Sequence, residues 1–238
     1  MAVYVCSDIH GRYDRYKKLL ELLQLGSDDK LYILGDVIDR GTDGIEILLD
    51  VMKRDNVELL LGNHEYLMLS ALLEIIDNDK YYYYNIWTSA NNGGSVTLEK
   101  FRNLAEKEQE ELFDFLMSLT VIKIIEVNNK RYHLSHSYTV DDLEGDTYRI
   151  NDFGDKELFN CVWLSPFRYD NLYVSKERYN SSLTYVLGHV PVQKLSSNIK
   201  IFFEDNLINI DCGCALGNRY ENYLACLCLD DMKEYYID

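Results

Sequence analysis

The chain switches between two hydrophobic periods. Residues 2–6 are an unbroken apolar run of strand type. Residues 13–25 change to helical spacing, with Tyr16, Leu19, Leu20, Leu22 and Leu23 forming an apolar stripe and Gly26 placed to end the helix. A second strand at 31–34, a helix at 44–53 and a third strand at 57–61 follow. This β-α-β-α-β alternation predicts a parallel sheet with right-handed crossovers. Residues 66–77 read as a helix, then comes a polar, Tyr-rich stretch, then a charged helix at 106–119 with a stripe at Leu112, Phe113, Phe115 and Leu116. Together they predict a helical insertion near 66–120. Beyond it, strand patterns dominate. Residues 121–127 and 131–135 predict a hairpin across Asn128-Asn129, and 138–182 read as loop and short helix. Residues 184–187 predict a strand, and 199–203, 207–210, 223–229 and 234–237 predict antiparallel strands. Two such blocks predict two sheets packed face to face with helices outside.

With 238 residues, 47% hydrophobic and 27% charged, the chain can bury a sizeable core, and no linker divides it. One domain over 1–238 is expected. The first apolar run is short, lacks a basic leader and runs straight into Asp8, and no stretch approaches the length of a membrane span, so the cytoplasm is the expected compartment. A formal charge of −16 argues against nucleic acid and acidic membranes, which are held largely through Lys and Arg contacts to phosphate. The six cysteines are expected to be reduced and buried. Cys212, Cys214, Cys226 and Cys228 form two C-x-C pairs that lack the usual zinc-knuckle spacing.

The chemistry sits where the first three strands end. The segments are Ser7-Asp8-Ile9-His10-Gly11, Gly35-Asp36-Val37-Ile38-Asp39-Arg40-Gly41 and Gly62-Asn63-His64-Glu65. In open parallel sheets, ligands bind at the carboxyl ends of the strands. Carboxylate, imidazole and amide oxygen suit hard and intermediate cations. Asp8 and His10 can face one ion, Asp36 can bridge two, and Asn63, His136 and His189 can hold the second. Two such cations can hold phosphoryl oxygens and lower the pKa of a bridging water. His64 is placed as a general acid or as a stabiliser of transition-state charge, with Asp39 to fix its tautomer and Arg40 as a planar fork for phosphate. Glu65 reads as a structural carboxylate near a helix N-terminus. His133 falls on the opposite strand face from His136 and reads as structural.

These segments resemble the phosphoprotein phosphatase family of calcineurin-like metallophosphoesterases, bacterial type. Trp87 with Asn92-Gly93-Gly94 and Thr97-Leu98, and Asn209-Ile210-Asp211-Cys212-Gly213, extend the resemblance over most of the chain. It implies a four-layer α/β/β/α sandwich and two divalent metal ions, Mn2+ first, with Fe or Zn also suited. One ion would be held by Asp8, His10 and Asp36, the other by Asp36, Asn63, His136 and His189. It also implies in-line attack by metal-bridging hydroxide, with His64 and Asp39 assisting the leaving group. There are departures from the family pattern. Ser7 replaces a glycine and Thr42 a proline, both mild changes, and Ser137 follows His136. Leu60-Leu61 stand where many members carry a phosphate-binding arginine, and Trp163-Leu164-Ser165 lacks another. Arg40, Asn63 and Arg168 are the candidates for contacting substrate.

Three functions are therefore weighed. The first is hydrolysis of phosphate monoesters, with phosphoserine or phosphothreonine proteins as substrates. The second is hydrolysis of dinucleoside polyphosphates such as diadenosine tetraphosphate, with residues 81–84 and Trp87 able to stack a base, although packing within the insertion is the favoured reading of the tyrosine run. The third is a non-enzymatic module, which an intact ligand set argues against.

Overall fold

The computed structural model describes residues 1–76, 81–139, 144–167, 173–175, 179–180, 182–217 and 220–238. In chain order the elements are β1 (Val3–Cys6), α1 (Tyr13–Leu23), β2 (Lys30–Ile33), α2 (Gly44–Val51), β3 (Val57–Leu59) and α3 (Asn63–Ile76). The insertion adds α4 (Tyr82–Trp87), α5 (Gly94–Arg102) and α6 (Glu106–Met117). Then come β4 (Thr120–Val127), β5 (Lys130–Ser135), β6 (Thr147–Arg149), α7 (Asp155–Trp163), β7 (Thr184–Leu187), β8 (Phe202–Glu204), β9 (Leu207–Asn209), β10 (Leu224–Cys228) and β11 (Glu234–Ile237).

The first sheet has the order β11-β10-β1-β2-β3 and the second β6-β4-β5-β7-β9-β8. Strands β1, β2 and β3 are parallel, as the alternation predicts. The last hairpin joins the same sheet, β10 running antiparallel to β1. In the second sheet, β9 pairs with β7 in parallel, so the segment at 207–210 is antiparallel only to its hairpin partner β8. Side-chain alternation fixes which face a strand buries but not the direction of its neighbour. Asn128 and Asn129 turn the β4–β5 hairpin with φ of 51° and 61°, the left-handed pair that a two-residue hairpin loop requires.

Alternation sorts the core. Val3 and Val5 of β1 pack between the sheets with Leu134, Val186, Ile208 and Leu227. Cys6, Leu31 and Ile33 face the other way, onto Tyr16, Leu19, Ile47 and Leu48 of the helices. Two sheets face to face with helices outside is the expected α/β/β/α architecture. Helix α1 ends at Gln24, which adopts the left-handed conformation and bonds back to the Leu20 carbonyl, two residues before Gly26. Leu22 points to solvent. All six cysteines are buried and free, in keeping with inert thiols. Among the described residues, no helix is long and apolar enough to cross a membrane.

His133 of β5 is fully buried, on the face opposite Tyr132 and Leu134, with its ring 4.8 Å from that of Tyr185. Burial pulls its pKa down to about 3. Between the ordinary histidine value near 6.5 and that value, the unfolded chain binds a proton that the folded chain refuses. Stability therefore falls as pH falls through this window. From pH 7 to pH 5 His133 should account for a loss of about 2 kcal/mol. In urea titrations at the two pH values, His133→Leu should lose about that much less than wild type; equal losses would show that His133 does not carry the effect.

Candidate metal centre

The loops after β1 and β2 run side by side. Asp8 N–H donates to the Gly35 carbonyl (3.1 Å), His10 N–H to that of Asp36 (2.9 Å) and Gly11 N–H to that of Val37 (2.8 Å). The approach is too close for side chains: a Cβ on Gly11 would lie 2.6 Å from the Gly41 backbone. Asp8, His10, Asp36, Asp39, Arg40 and His189 all have positive φ, between 48° and 68°. That conformation is uncommon for residues with a side chain, and its concentration here marks a functional site rather than a set of ordinary turns.

Each histidine is oriented through one ring nitrogen. His10 Nδ1 bonds the Ile38 carbonyl (3.0 Å), which leaves Nε2 3.7 Å from Asp36 Oδ2. His136 Nδ1 bonds the Leu34 carbonyl (2.6 Å), and its Nε2 lies 3.5 Å from Asp36 Oδ2 and 3.0 Å from Asn63 Oδ1. His189 Nδ1 also lies 3.0 Å from Asn63 Oδ1. Asp36 Oδ1 accepts the His64 N–H (2.9 Å), so Oδ2 is turned to the imidazoles. Backbone carbonyls that hold a ligand histidine in this way fix its tautomer. The result is two groups able to hold a cation, His10–Asp36–His64 and Asp36–His136–His189, with donor atoms within 4.8 Å of one another and Asp36 shared.

Asp8 belongs to neither tight group. It stands close enough to Asp36 to raise that carboxyl's pKa, and its Oδ2 accepts the His189 N–H (3.0 Å) and the Ser7 hydroxyl. Ser7 is thus more than a small spacer in place of glycine: it orients a candidate ligand. His64 Nδ1 donates to Asp39 Oδ2 (2.7 Å), and Arg40 Nη2 approaches His64 Nε2 at 3.2 Å. Asp39 also receives Trp87 Nε1–H (2.9 Å) and Thr97 Oγ1–H (2.6 Å) from the insertion. Glu65, fully buried in the first turn of α3, accepts the N–H groups of Asp36 (2.7 Å), Val37 (2.9 Å) and Gly62 (3.1 Å).

Burial pushes the Asp36 and Asp211 carboxyls well up, with Asp8 adding to both. Burial pulls His10 and His189 well down, with Arg40 and neighbouring imidazoles adding to it. His64 behaves differently. Burial lowers it most, but Asp36 and Asp39 together hold it above its ordinary value. Carboxyls that resist ionising beside imidazoles that stay neutral form a donor set lacking positive charge, and divalent cations would supply it. The residues present fit such ions.

One possibility raised by the sequence, a base stacked on Trp87, comes out differently. Trp87 is fully buried and spends its N–H on Asp39, so it is no platform for a base. The tyrosine run divides: Tyr83 and Tyr84 pack on the core, while Tyr81 and Tyr82 are exposed. Leu60 and Leu61 are fully buried in the two cores, so an arginine in their place would leave solvent altogether. Arg168 lies outside the described residues. Sequence reading missed Thr97 and Trp87 as partners of Asp39, although both sit in a segment that carries the family resemblance, and it gave Asp211 no place beside the site.

The model of the calcineurin-like phosphoesterase family matches residues 1–221. The chain belongs to this family. It is 35% identical over 92 residues to a symmetrical bis(5'-nucleosyl)-tetraphosphatase of Buchnera aphidicola subsp. Acyrthosiphon pisum (strain Tuc7), a match covering 38% of this chain and 34% of that protein. It is 41% identical over 68 residues to a Caenorhabditis elegans protein named as a proposed serine/threonine-protein phosphatase, covering 26% of this chain and 19% of that one. The matched part thus spans about a third or less of these relatives' length. A crystal structure named as that of a proposed diadenosine tetraphosphatase superposes with a TM-score of 0.64 at 16% identity, covering 99% of this chain and 92% of that one. At that identity the likeness is one of fold.

Proposed function

We propose that this metallophosphoesterase hydrolyses dinucleoside polyphosphates, cleaving them symmetrically. The observation that carries the substrate class is the similarity to symmetrical bis(5'-nucleosyl)-tetraphosphatases. It favours this reading over the protein phosphatase reading that the motifs first suggest. The latter keeps one specific support, the shorter match to the nematode phosphatase relative.

Asp8, His10, Asp36, Asn63, His136 and His189 would hold two divalent ions. When bound, these supply positive charge to the phosphoryl oxygens and make a nearby water acidic enough to attack phosphorus. The remaining work falls to the chain. With Arg40 turned from Nε2 to the substrate phosphate, His64 would give a proton from Nε2 to the departing oxygen while Asp39 holds Nδ1–H, so the ring keeps one tautomer and one orientation. Against the burial that lowers it, the Asp36 and Asp39 carboxylates hold its pKa above the ordinary histidine value. Arg40, 3.2 Å from His64 Nε2, places a guanidinium beside the same point, where phosphate charge accumulates. The two nucleoside ends would be held by contacts outside this cluster.

The test is product analysis with diadenosine tetraphosphate and Mn2+. ADP as the sole nucleotide product, lost on chelation, is expected. AMP with ATP would overturn symmetric cleavage. Phosphate release from a phosphoserine peptide with no cleavage of the dinucleotide would transfer the assignment to protein phosphatase activity.

A further inference from the structure

We propose that Trp87 and Thr97, both from the insertion, are positioning residues that hold Asp39 and, through it, the His64 ring in its working orientation. This rests on the role given to His64 above.

Asp39 is fully buried, so no solvent competes for its carboxylate. Three side-chain donors converge on it. His64 Nδ1 and Trp87 Nε1 meet Oδ2 at 2.7 and 2.9 Å, and Thr97 Oγ1 meets Oδ1 at 2.6 Å. Hydrogen bonds to an ionised acceptor are the strong ones, and three of them leave the carboxylate little rotational freedom. Thr97 acts twice. Its hydroxyl proton goes to Oδ1, and its oxygen accepts the Asp39 N–H at 3.1 Å. Asp39 itself sits at φ 67° and Arg40 at φ 64°. Thr97 therefore brackets a residue whose backbone conformation needs support.

The Asn91-Asn92-Gly93-Gly94 segment fits this role. A Cβ on Gly94 would lie 2.4 Å from Trp87 Nε1, and one on Gly93 2.9 Å from the Arg40 nitrogen. Absent side chains let the start of α5 close on the indole and on the Asp39-Arg40 backbone together. A purely packing role for Trp87 would be met equally by phenylalanine, and one for Thr97 by valine. What those replacements lack is the N–H and the O–H aimed at the Asp39 oxygens. The insertion thus does more than flank the site: it sets the geometry of the group that protonates the leaving oxygen.

The experiment compares wild type with Trp87→Phe, Thr97→Val and Thr97→Ser, with Asp39→Asn as reference. Two readouts are taken: steady-state kinetics on diadenosine tetraphosphate with Mn2+-loaded protein, and the downfield imidazole N–H resonance of His64 in histidine-labelled samples loaded with diamagnetic Zn2+. Asp39→Asn should abolish that resonance. Trp87→Phe and Thr97→Val should shift or broaden it and lower kcat about 10- to 100-fold with KM nearly unchanged, the size expected for misplacing a reacting group by a fraction of an ångström to an ångström. Thr97→Ser, which keeps the hydroxyl, should restore both. An unchanged resonance and kcat in Thr97→Val, or failure of Thr97→Ser to restore them, would overturn the proposal. If Trp87→Phe does not fold, the Thr97 pair decides. If wild type does not cleave the dinucleotide, the substrate reading fails while the resonance still reports whether Thr97 and Trp87 hold the ring.

Discussion

Asp36→Asn is expected to lower hydrolysis at least about 10³-fold while leaving the protein folded. Asp36 is shared by the two candidate cation groups, and its Oδ2 is the atom to which His10, His64 and His136 all turn. Loss of that charge removes several kcal/mol of charge stabilisation from the reaction, and each ~1.4 kcal/mol is tenfold in rate. Stability should move the other way or not at all. Burial already pushes this carboxyl well above its ordinary range, so the metal-free protein bears a cost for ionising it that asparagine does not. Asparagine can still accept the His64 N–H through its own oxygen. The measurements are turnover, bound metal after equilibrium dialysis, and thermal unfolding of the metal-free proteins. Activity within tenfold of wild type at normal metal content would remove Asp36 from the centre of the mechanism. A sharp loss of metal-free stability would show that the variant reports folding instead.

Why Asp36 was legible in the sequence and its supports were not is a matter of range. Each N-terminal motif follows an apolar strand and precedes a helical stripe, so local periodicity by itself places Asp8, Asp36 and Asn63 at the same sheet edge. His64 and Asp39 sit inside those same motifs, and the fold brings them to 2.7 Å. Trp87 and Thr97 reach Asp39 from 48 and 58 residues away, across helices whose packing no local period specifies. The left-handed backbone of Asp8, His10, Asp36 and His189 was equally hidden, because Asp and His adopt it more readily than most residues with a side chain yet still only in a small minority of positions. Ser7 reads as a small substitute for glycine until its hydroxyl is seen on Asp8. The parallel pairing of β9 with β7 was missed for a related reason: a short apolar strand carries its faces in its sequence but not its partner.

Glu65→Ala is expected to be the most destabilising single change at the site, by about 3–5 kcal/mol, because several buried N–H groups lose one shared acceptor. Glu65 is fully buried, and burial pushes its pKa up even though the backbone N–H groups it accepts pull the other way. Those N–H groups belong to Asp36, Val37 and Gly62, so one carboxylate ties the turn after β2 to the start of α3. A fourth, longer bond comes from the Ile38 N–H (3.4 Å), so alanine leaves four buried donors without this acceptor, each unmet group costing about 1–3 kcal/mol. It also frees Asp36, whose φ of 56° depends on that turn being held. Glu65→Gln separates the lost hydrogen bonds from the lost volume. It fills the same space, yet one of its two terminal groups becomes a donor facing donors, since both Glu65 oxygens accept. Glutamine should therefore cost more than half of what alanine costs, measured by urea unfolding with the slope checked for constancy. It should weaken metal binding as well, because the Asp36 turn loosens in both variants. A glutamine variant within about 1 kcal/mol of wild type would mean that net hydrogen bonding of ordinary strength, and not the carboxylate clamp, holds the turn.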